Sequence, residues 1–247
     1  MNGDLDLKGM IFNMIRLGFI TALLCSFVIS SCFAGNKQIA ITIDDLPFRS
    51  GEEHFYKIRD VLLKHKAPAI GFVVAEWVND NTIPQLNALK ADGFLIGSHS
   101  YSHRSLREIP ADEYIEDIAK ADSILAPYMT SPKYYRYPYL AEGRWWWVRN
   151  KVYDYLREHD YVKAPVTIDS RDFLFDVAST ESESKIAEIK KNYIDFVWSK
   201  TQKTESSGKK QILLIHANLL NSYSLDDLLT MFESHGYEFI SLPEALK

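Results

Sequence analysis

The residues of this chain best suited to chemistry are carboxylates and imidazoles placed directly behind short apolar runs. Thr42-Ile43 leads into Asp44-Asp45, and Leu95-Ile96-Gly97 leads to His99-Ser100-Tyr101-Ser102-His103. Tyr134-Tyr135 runs into Arg136-Tyr137-Pro138-Tyr139, and Ile212-Leu213-Leu214-Ile215 closes on His216. A further acidic stretch, Asp169-Ser170-Arg171-Asp172-Phe173, follows Ile168. Taken singly, none of these decides anything. Paired aspartates behind a strand often serve only solvation or a helix cap, a lone Arg is usually a surface charge, and a His ending an apolar run is usually a solvated strand end. Two histidines four apart can meet on one helical face and share a metal, but the spacing alone is a weak signal. The set is more specific. It offers an Asp-His-His metal site with open positions, a spare carboxylate, an Arg to orient that carboxylate, and an Asp–His pair for proton delivery, which is what hydrolysis of an amide requires.

Such distant groups meet only if the fold gathers strand ends on one rim. Short apolar runs alternate with amphipathic stretches from Gln38 onward, and the pattern predicts strands at Gln38–Ile43, Ala69–Val74, Phe94–Gly97, Tyr134–Tyr137, Pro165–Ile168, Gln211–Ile215 and Glu238–Ile240. Helices fall between them. One starts with Pro110 as its first residue, one with a Thr180/Glu183 capping box, and one at Ser224 with Asp227. Strand–helix alternation implies a parallel sheet with helices on its faces. The expected architecture is α/β: a single distorted (β/α) barrel of about seven parallel strands with outer helices, with an open doubly wound sheet as the alternative.

These segments resemble, in order, the five motifs of the NodB-homology polysaccharide deacetylases, carbohydrate esterase family 4: T-x-D-D, H-[ST]-x-x-H, R-x-P-[FY], D-x-x-D-W and an apolar strand ending L-x-H. The resemblance runs from about Gln38 to Lys247. It departs in two places, where Phe173 stands in for the usual Trp and Leu46-Pro47 follow the paired aspartates in place of Gly. The resemblance implies a divalent metal on Asp45, His99 and His103, zinc with cobalt, nickel or manganese as alternatives. It implies Asp44 as general base held by Arg136, and His216 as general acid tuned by Asp172. It also implies that the backbone N–H of Tyr139 supports the oxyanion, while Leu214 and Phe173 line the acetyl pocket. The implied substrate is an acetylated polysaccharide or oligosaccharide, N-acetylated before O-acetylated. A metal amidase acting on a small non-carbohydrate amide and a carbohydrate-binding pseudoenzyme are the competing readings.

The bulk properties agree with an ordinary globular body. The chain has 247 residues, 47% apolar and 25% charged, and its net charge of −5 offers no basic footprint for nucleic acid. Its two cysteines, Cys25 and Cys32, both precede the body, so any metal there is held by nitrogen and oxygen. Residues 1–35 read as a signal peptide, with the uncharged stretch Leu17–Ile29 behind Lys8 and Arg16. Ile29-Ser30-Ser31-Cys32 resembles a lipobox, and cleavage after Ala34 competes with it. Residues 36–247 are then the catalytic domain of an exported protein, periplasmic, membrane-anchored through a lipid on Cys32, or secreted. Trp145-Trp146-Trp147 is expected to pack at least one indole against the sheet. Tyr101, Tyr137 and Tyr139, inside the motif loops, are the better candidates for sugar contact.

Overall fold

The computed structural model describes residues 37–49, 51–205 and 208–247; the leader, with Cys25 and Cys32, lies outside them. Among the described residues no helix is long and apolar enough to cross a membrane. From Gln38 to Lys247 the chain forms one unit.

Its centre is β1 (Lys37–Leu46), buried on both faces, as a strand covered by helices on one side and a barrel interior on the other must be. The other strands are β2 (Ala69–Val73), β3 (Leu95–Ser98), β4 (Lys133–Tyr135), β5 (Tyr161–Lys163), β6 (Ile168–Asp169), β7 (Gln211–His216) and β8 (Tyr237–Ile240). They form an eight-stranded sheet in the order β5-β4-β3-β2-β1-β7-β6, with β8 also paired to β1. The pairings along that path are parallel. No ladder among the described residues joins β5 to β6, so the barrel is open on one side. The expected distorted (β/α) barrel is what the chain builds. The outer helices are α1 (Glu52–Lys64), α2 (Ile83–Ala91), α3 (Ala111–Leu125), α4 (Trp146–Glu158), α5 (Glu183–Glu205), α6 (Leu219–Ser234) and the short α7 (Leu242–Ala245).

Alternation along the strands divides the core in two. Ile39, Ile41 and Ile43 of β1 and Leu213 and Ile215 of β7 pack outward against Phe55, Leu62, Leu86, Leu228 and Phe232 of the helices. Ala40 and Ile212, one residue out of step, pack inward with Ile70, Phe72, Tyr134 and Ala164. Continuing each strand on that inner face brings Thr42 and Asp44 from β1, and Leu214 and His216 from β7. The parity of the strands therefore turns the reactive residues into the barrel mouth. Gly97 of β3 is required here, because a Cβ on it would lie 2.6 Å from the Phe72 ring and 2.9 Å from Tyr134 O.

Several local expectations shift. Pro110 sits one residue before α3 as its N-cap, in extended geometry. Helix α5 begins at Glu183 without a Thr180 capping box; Thr180 Oγ1 instead accepts from the Ser182 N–H, closing a turn ahead of the helix. Ser224 does not open α6. Asn218 caps that helix by accepting from the Asn221 N–H, and Ser224 is buried inside it, its hydroxyl donating to Leu220 O. The strand read at Pro165–Ile168 resolves into two short ones, β5 before it and β6 at its end. The indoles of Trp145, Trp146 and Trp147 are 52%, 65% and 53% exposed, so none packs on the sheet. Trp145 and Trp147 instead stack on each other with centroids 5.2 Å apart.

Candidate functional site

The sheet places the two aspartates differently. Asp44 continues the inner face of β1 and is 2% exposed, and its ladder partner on β7 is His216. Asp45 follows in left-handed geometry, φ 65°, which turns its side chain out of the strand's alternation. The Asp44 carboxylate faces Arg136, whose Nη1 lies 3.4 Å from each carboxylate oxygen. That guanidinium is itself 1% exposed and pinned at three further points: Nε donates to Ala164 O at 3.0 Å, Nη2 to Thr42 Oγ1 at 3.0 Å, and the plane lies 4.7 Å over the Phe72 ring. Burial works against the Arg136 cation and Asp44 works for it. Asp44 is the carboxylate that this buried guanidinium faces.

His99 and His103 do not share a helical face. The segment between them is a loop with positive φ at Ser100 (67°) and His103 (57°). Asp117 of α3 staples it, accepting from the Tyr101 N–H at 2.8 Å and from the Ser102 hydroxyl at 2.5 Å, and Ser100 Oγ accepts from the His103 N–H at 3.0 Å. The loop delivers both imidazoles to Asp45, with His103 Nε2 3.1 Å and His99 Nε2 3.6 Å from Asp45 Oδ1. The ring of His103 is further held between Trp77 (5.8 Å) and Tyr139 (4.8 Å).

This trio suits a divalent cation. One ligand atom from each residue lies within 4.8 Å of the others, where ligands ~2 Å from a shared ion belong. Asp45 Oδ1 is buried with only the two imidazole nitrogens close to it, an acceptor that a shared cation would satisfy. His99 Nδ1 lies 2.8 Å from Arg136 O and must donate there, which leaves its Nε2 lone pair facing Asp45. Burial lowers the His99 pKa despite the nearby Asp44 and Asp45, keeping the ring in the neutral, ligating form. For Asp45, burial opposes ionisation, but the hydrogen bond and charge of His103, with His99 and His216 beyond, outweigh it and hold the carboxyl at about 2.

Across the mouth, His216 Nδ1 lies 2.6 Å from Asp172 Oδ1, and the other carboxylate oxygen accepts from the His216 N–H at 2.7 Å and from Asn221 Nδ2 at 2.5 Å. Burial penalises the His216 imidazolium, but the bond to Asp172 and its charge, then Asp45 and Asp44, raise the pKa to about 9. Phe173 stands edge-on to His216 at 6.0 Å and is 66% exposed. A cavity of about 570 Å³ is lined by Asp44, Asp45, His99, His103 and His216, with Leu214, Phe173 and Tyr139 completing its wall. Arg136 and Asp172 support it from behind. The proposed metal, acid–base and acetyl-pocket residues are therefore gathered at one place, the sugar-contact tyrosines only in part. Of the tyrosines, Tyr139 is 68% exposed at the cavity, whereas Tyr137 is buried in a separate apolar cluster and cannot touch a ligand there. Lys120 lies 3.5 Å over the Tyr101 ring. Asp117, Asn221 and Trp77 were missed, and Thr42, named in the first motif, was given no role although its inward parity on β1 pointed to one.

The polysaccharide deacetylase family profile matches residues 34–164. A peptidoglycan-N-acetylglucosamine deacetylase from Bacillus cereus is 36% identical over 106 residues, 41% of this chain and 36% of that protein. A chitin deacetylase from Arthroderma benhamiae is 29% identical over 152 residues, 59% of this chain and 38% of that protein, so the matches span little more than a third of these relatives. Among solved structures, a pseudoenzyme of carbohydrate esterase family 4 from Bacillus anthracis superposes with a TM-score of 0.65 at 18% identity, covering 86% of this chain and 66% of that one. With the motif residues assembled at one barrel mouth and the profile spanning the first five strands, this chain belongs to the polysaccharide deacetylase family.

Proposed function

We propose that the chain is a metal-dependent hydrolase that removes acetyl groups from N-acetylated sugars of a polysaccharide or oligosaccharide. The observation that carries this reading is the convergence, in one cavity, of a donor set suited to a cation with a buried carboxylate on one side and a carboxylate-held imidazole on the other. Asp45, His99 and His103 would hold a divalent ion, which would supply Lewis acidity and an activated water at neutral pH. Asp44, which faces the Arg136 guanidinium, takes the proton of the attacking water. The imidazolium of His216 gives a proton to the sugar nitrogen as the C–N bond breaks, since an amine leaves poorly as an anion. Asp172 orients that ring through Nδ1 and leaves Nε2 for the transfer. The backbone N–H of Tyr139 supports the oxyanion, and Leu214 and Phe173 give the acetyl methyl an apolar seat.

Acetate release from N-acetylchitooligosaccharides, peptidoglycan and acetylated xylan, beside loss of the intact substrate for small ureides, each with zinc, cobalt, nickel or manganese, tests the reading. Release from the amino-sugar polymers supports it, and turnover of ureides alone replaces it with the small-amide reading. Binding of glycan without acetate release under any metal makes the chain a pseudoenzyme, although none of the metal or acid–base residues is missing here. The composition of the leader supports export, with Cys32 as the lipidated residue; an unmodified N-terminus at Gly35, found by mass spectrometry of the native protein, would overturn the lipid anchor.

A further inference from the structure

A second cavity, of about 750 Å³, adjoins the first, and the two share Asp45, Ala217 and Asn218. Either is large enough for a ligand of its own. A group in the second cavity sits beside the metal donors rather than on them. One wall is Trp77, half-buried and packed on the far side of His103. Over the exposed face of that indole lies the guanidinium of Arg49, 3.9 Å from the ring centroid. Arg49 also lines the cavity and has no carboxylate within ion-pair distance among the described residues.

This placement is built. The backbone of Phe48, the residue before Arg49, is gripped at both polar atoms by one side chain: the Phe48 N–H donates to Gln85 Oε1 at 2.8 Å, and Gln85 Nε2 donates to Phe48 O at 2.8 Å. Gln85 is 2% exposed, a buried amide whose recorded bonds all serve this turn. Trp77 is fixed in its own right, its carbonyl accepting from Thr82 Oγ1 at 2.9 Å and from Asn79 Nδ2 at 3.2 Å. The acidic groups in the cavity wall each lie beside an imidazole, and Arg49 is the one Lys or Arg among the lining residues. Glu53 lies 3.4 Å from His54 Nε2, and Asp45 belongs to the imidazole pair. Arg49 is exposed, so its guanidinium, seated over the indole, is open to a ligand, and its paired N–H donors suit a planar carboxylate better than a neutral hydroxyl.

We propose that Arg49, laid on Trp77, binds a carboxylate carried by the sugar next to the one being deacetylated, so that the protein selects acidic over neutral acetylated glycans. The position assigned to the acetylated sugar rests on the function proposed above; the carboxylate subsite is read from the second cavity. Two chemistries supply such a group, a hexuronate ring and a lactyl ether on an amino sugar, and the probes separate them.

Binding is measured by calorimetry at low salt for N-acetylchitopentaose, a hexuronate-alternating N-acetylglucosamine oligosaccharide, and a muropeptide-free glycan strand with lactyl ethers, with acetate release followed in parallel. Wild type is expected to bind at least one acidic glycan about tenfold or more tighter than the neutral one, with the advantage shrinking as salt is raised. Arg49→Gln should bring the acidic-to-neutral ratio close to one, and Arg49→Lys, which keeps the charge but loses the planar fork, should restore only part of it. A ratio that Arg49→Gln leaves unchanged, or a wild type that binds neither acidic glycan better than the neutral one, overturns the proposal. If the ratio behaves as expected but no glycan releases acetate, the hydrolase reading fails while the carboxylate subsite stands.

Discussion

Asp172→Asn removes one charge at nearly constant shape, and its consequences differ with pH. His216 has an ordinary pKa of 6.5 and is raised to about 9 in the fold, although its burial alone would push it down. At 1.36 kcal/mol per unit, the protonated ring stabilises the native state by about 3 kcal/mol. The sign follows from the raised value. The contribution is complete below about pH 6.5, the unfolded value, and is lost as pH rises through about 9. Asn in place of Asp172 removes the two largest upward causes, the hydrogen bond and the charge, so burial drives the His216 pKa down. It also turns an amide N–H₂ toward donors, since both Asp172 oxygens now accept, and that mismatch costs a further ~1–3 kcal/mol at every pH. Urea unfolding of the metal-free protein at intervals from pH 6 to pH 10 separates the two parts. The wild-type minus variant difference should be greatest near pH 6 and shrink by roughly 2–3 kcal/mol by pH 10. Buried tyrosines that titrate late are common to both proteins and cancel. With metal restored, the alkaline limb of kcat/KM should move to lower pH in the variant. A stability difference that stays flat across that range would show that Asp172 does not hold the proton on His216, and the assigned acid would be wrong.

Three further outcomes are expected. His103→Ala should abolish stoichiometric zinc binding, measured by atomic emission after dialysis, with little change in circular dichroism, and wild-type affinity should weaken below about pH 6, where free imidazoles protonate. Arg136→Met and Asp44→Asn should each cost about 3–5 kcal/mol because each strands a buried charged or polar partner, whereas the double variant should lose much less than their sum in a urea double-mutant cycle. Gly97→Ala, which drives a methyl into the Phe72 ring and Tyr134 O, should cost about 1–3 kcal/mol and lower the melting temperature by several degrees.

The reactive set was legible because each member closes an apolar run, and a parallel barrel sends such ends to one rim. The parity of Ile39–Asp44 and of Ile212–His216 was readable residue by residue, so the inward aim of Asp44, Leu214 and His216 followed from the pattern. The structure brings His99 and His103 together from a loop rather than from the shared helical face that four-residue spacing can offer, and that loop depends on Asp117, a residue that looks like any exposed helical acid. Asn221, which links Asp172 to the His216 carbonyl, was hidden inside an amphipathic run in the same way. Strand β5 escaped notice because Tyr161-Val162-Lys163 is too short for alternation to register, and the apolar neighbours after it pulled the reading toward Pro165. The tryptophan triplet misled by composition, since indoles usually seek burial, yet these three sit at the start of α4 with nothing packed over them.

The site divides into two mechanical parts with different origins. The proposed base and acid are ladder partners, Asp44 opposite His216, on the two strands most securely paired in the sheet. A slip of one residue between them would turn every inner side chain outward, so their separation is enforced by the whole hydrophobic pattern of the barrel. The proposed metal donors and oxyanion loop come instead from strained backbone. Asp45, Ser100, His103, Tyr139, Leu140 and Arg171 all have positive φ, which leaves only Lys66 and Asp160 among the described non-glycine residues with that conformation elsewhere. Such strain persists only where surrounding contacts over-determine it, and here those contacts are visible: Asp117 on the histidine loop, Tyr137 O accepting from Leu140 N–H, and Asp169 accepting from Arg171 N–H. Proton transfer tolerates little variation in distance, and its groups sit on the rigid ladder. The donors for a cation depart from that ladder: Asp45, still within β1, takes a positive φ that carries its side chain away from the outer face regular alternation would give it and toward the mouth beside Asp44, and His99 and His103 come from the loop after β3.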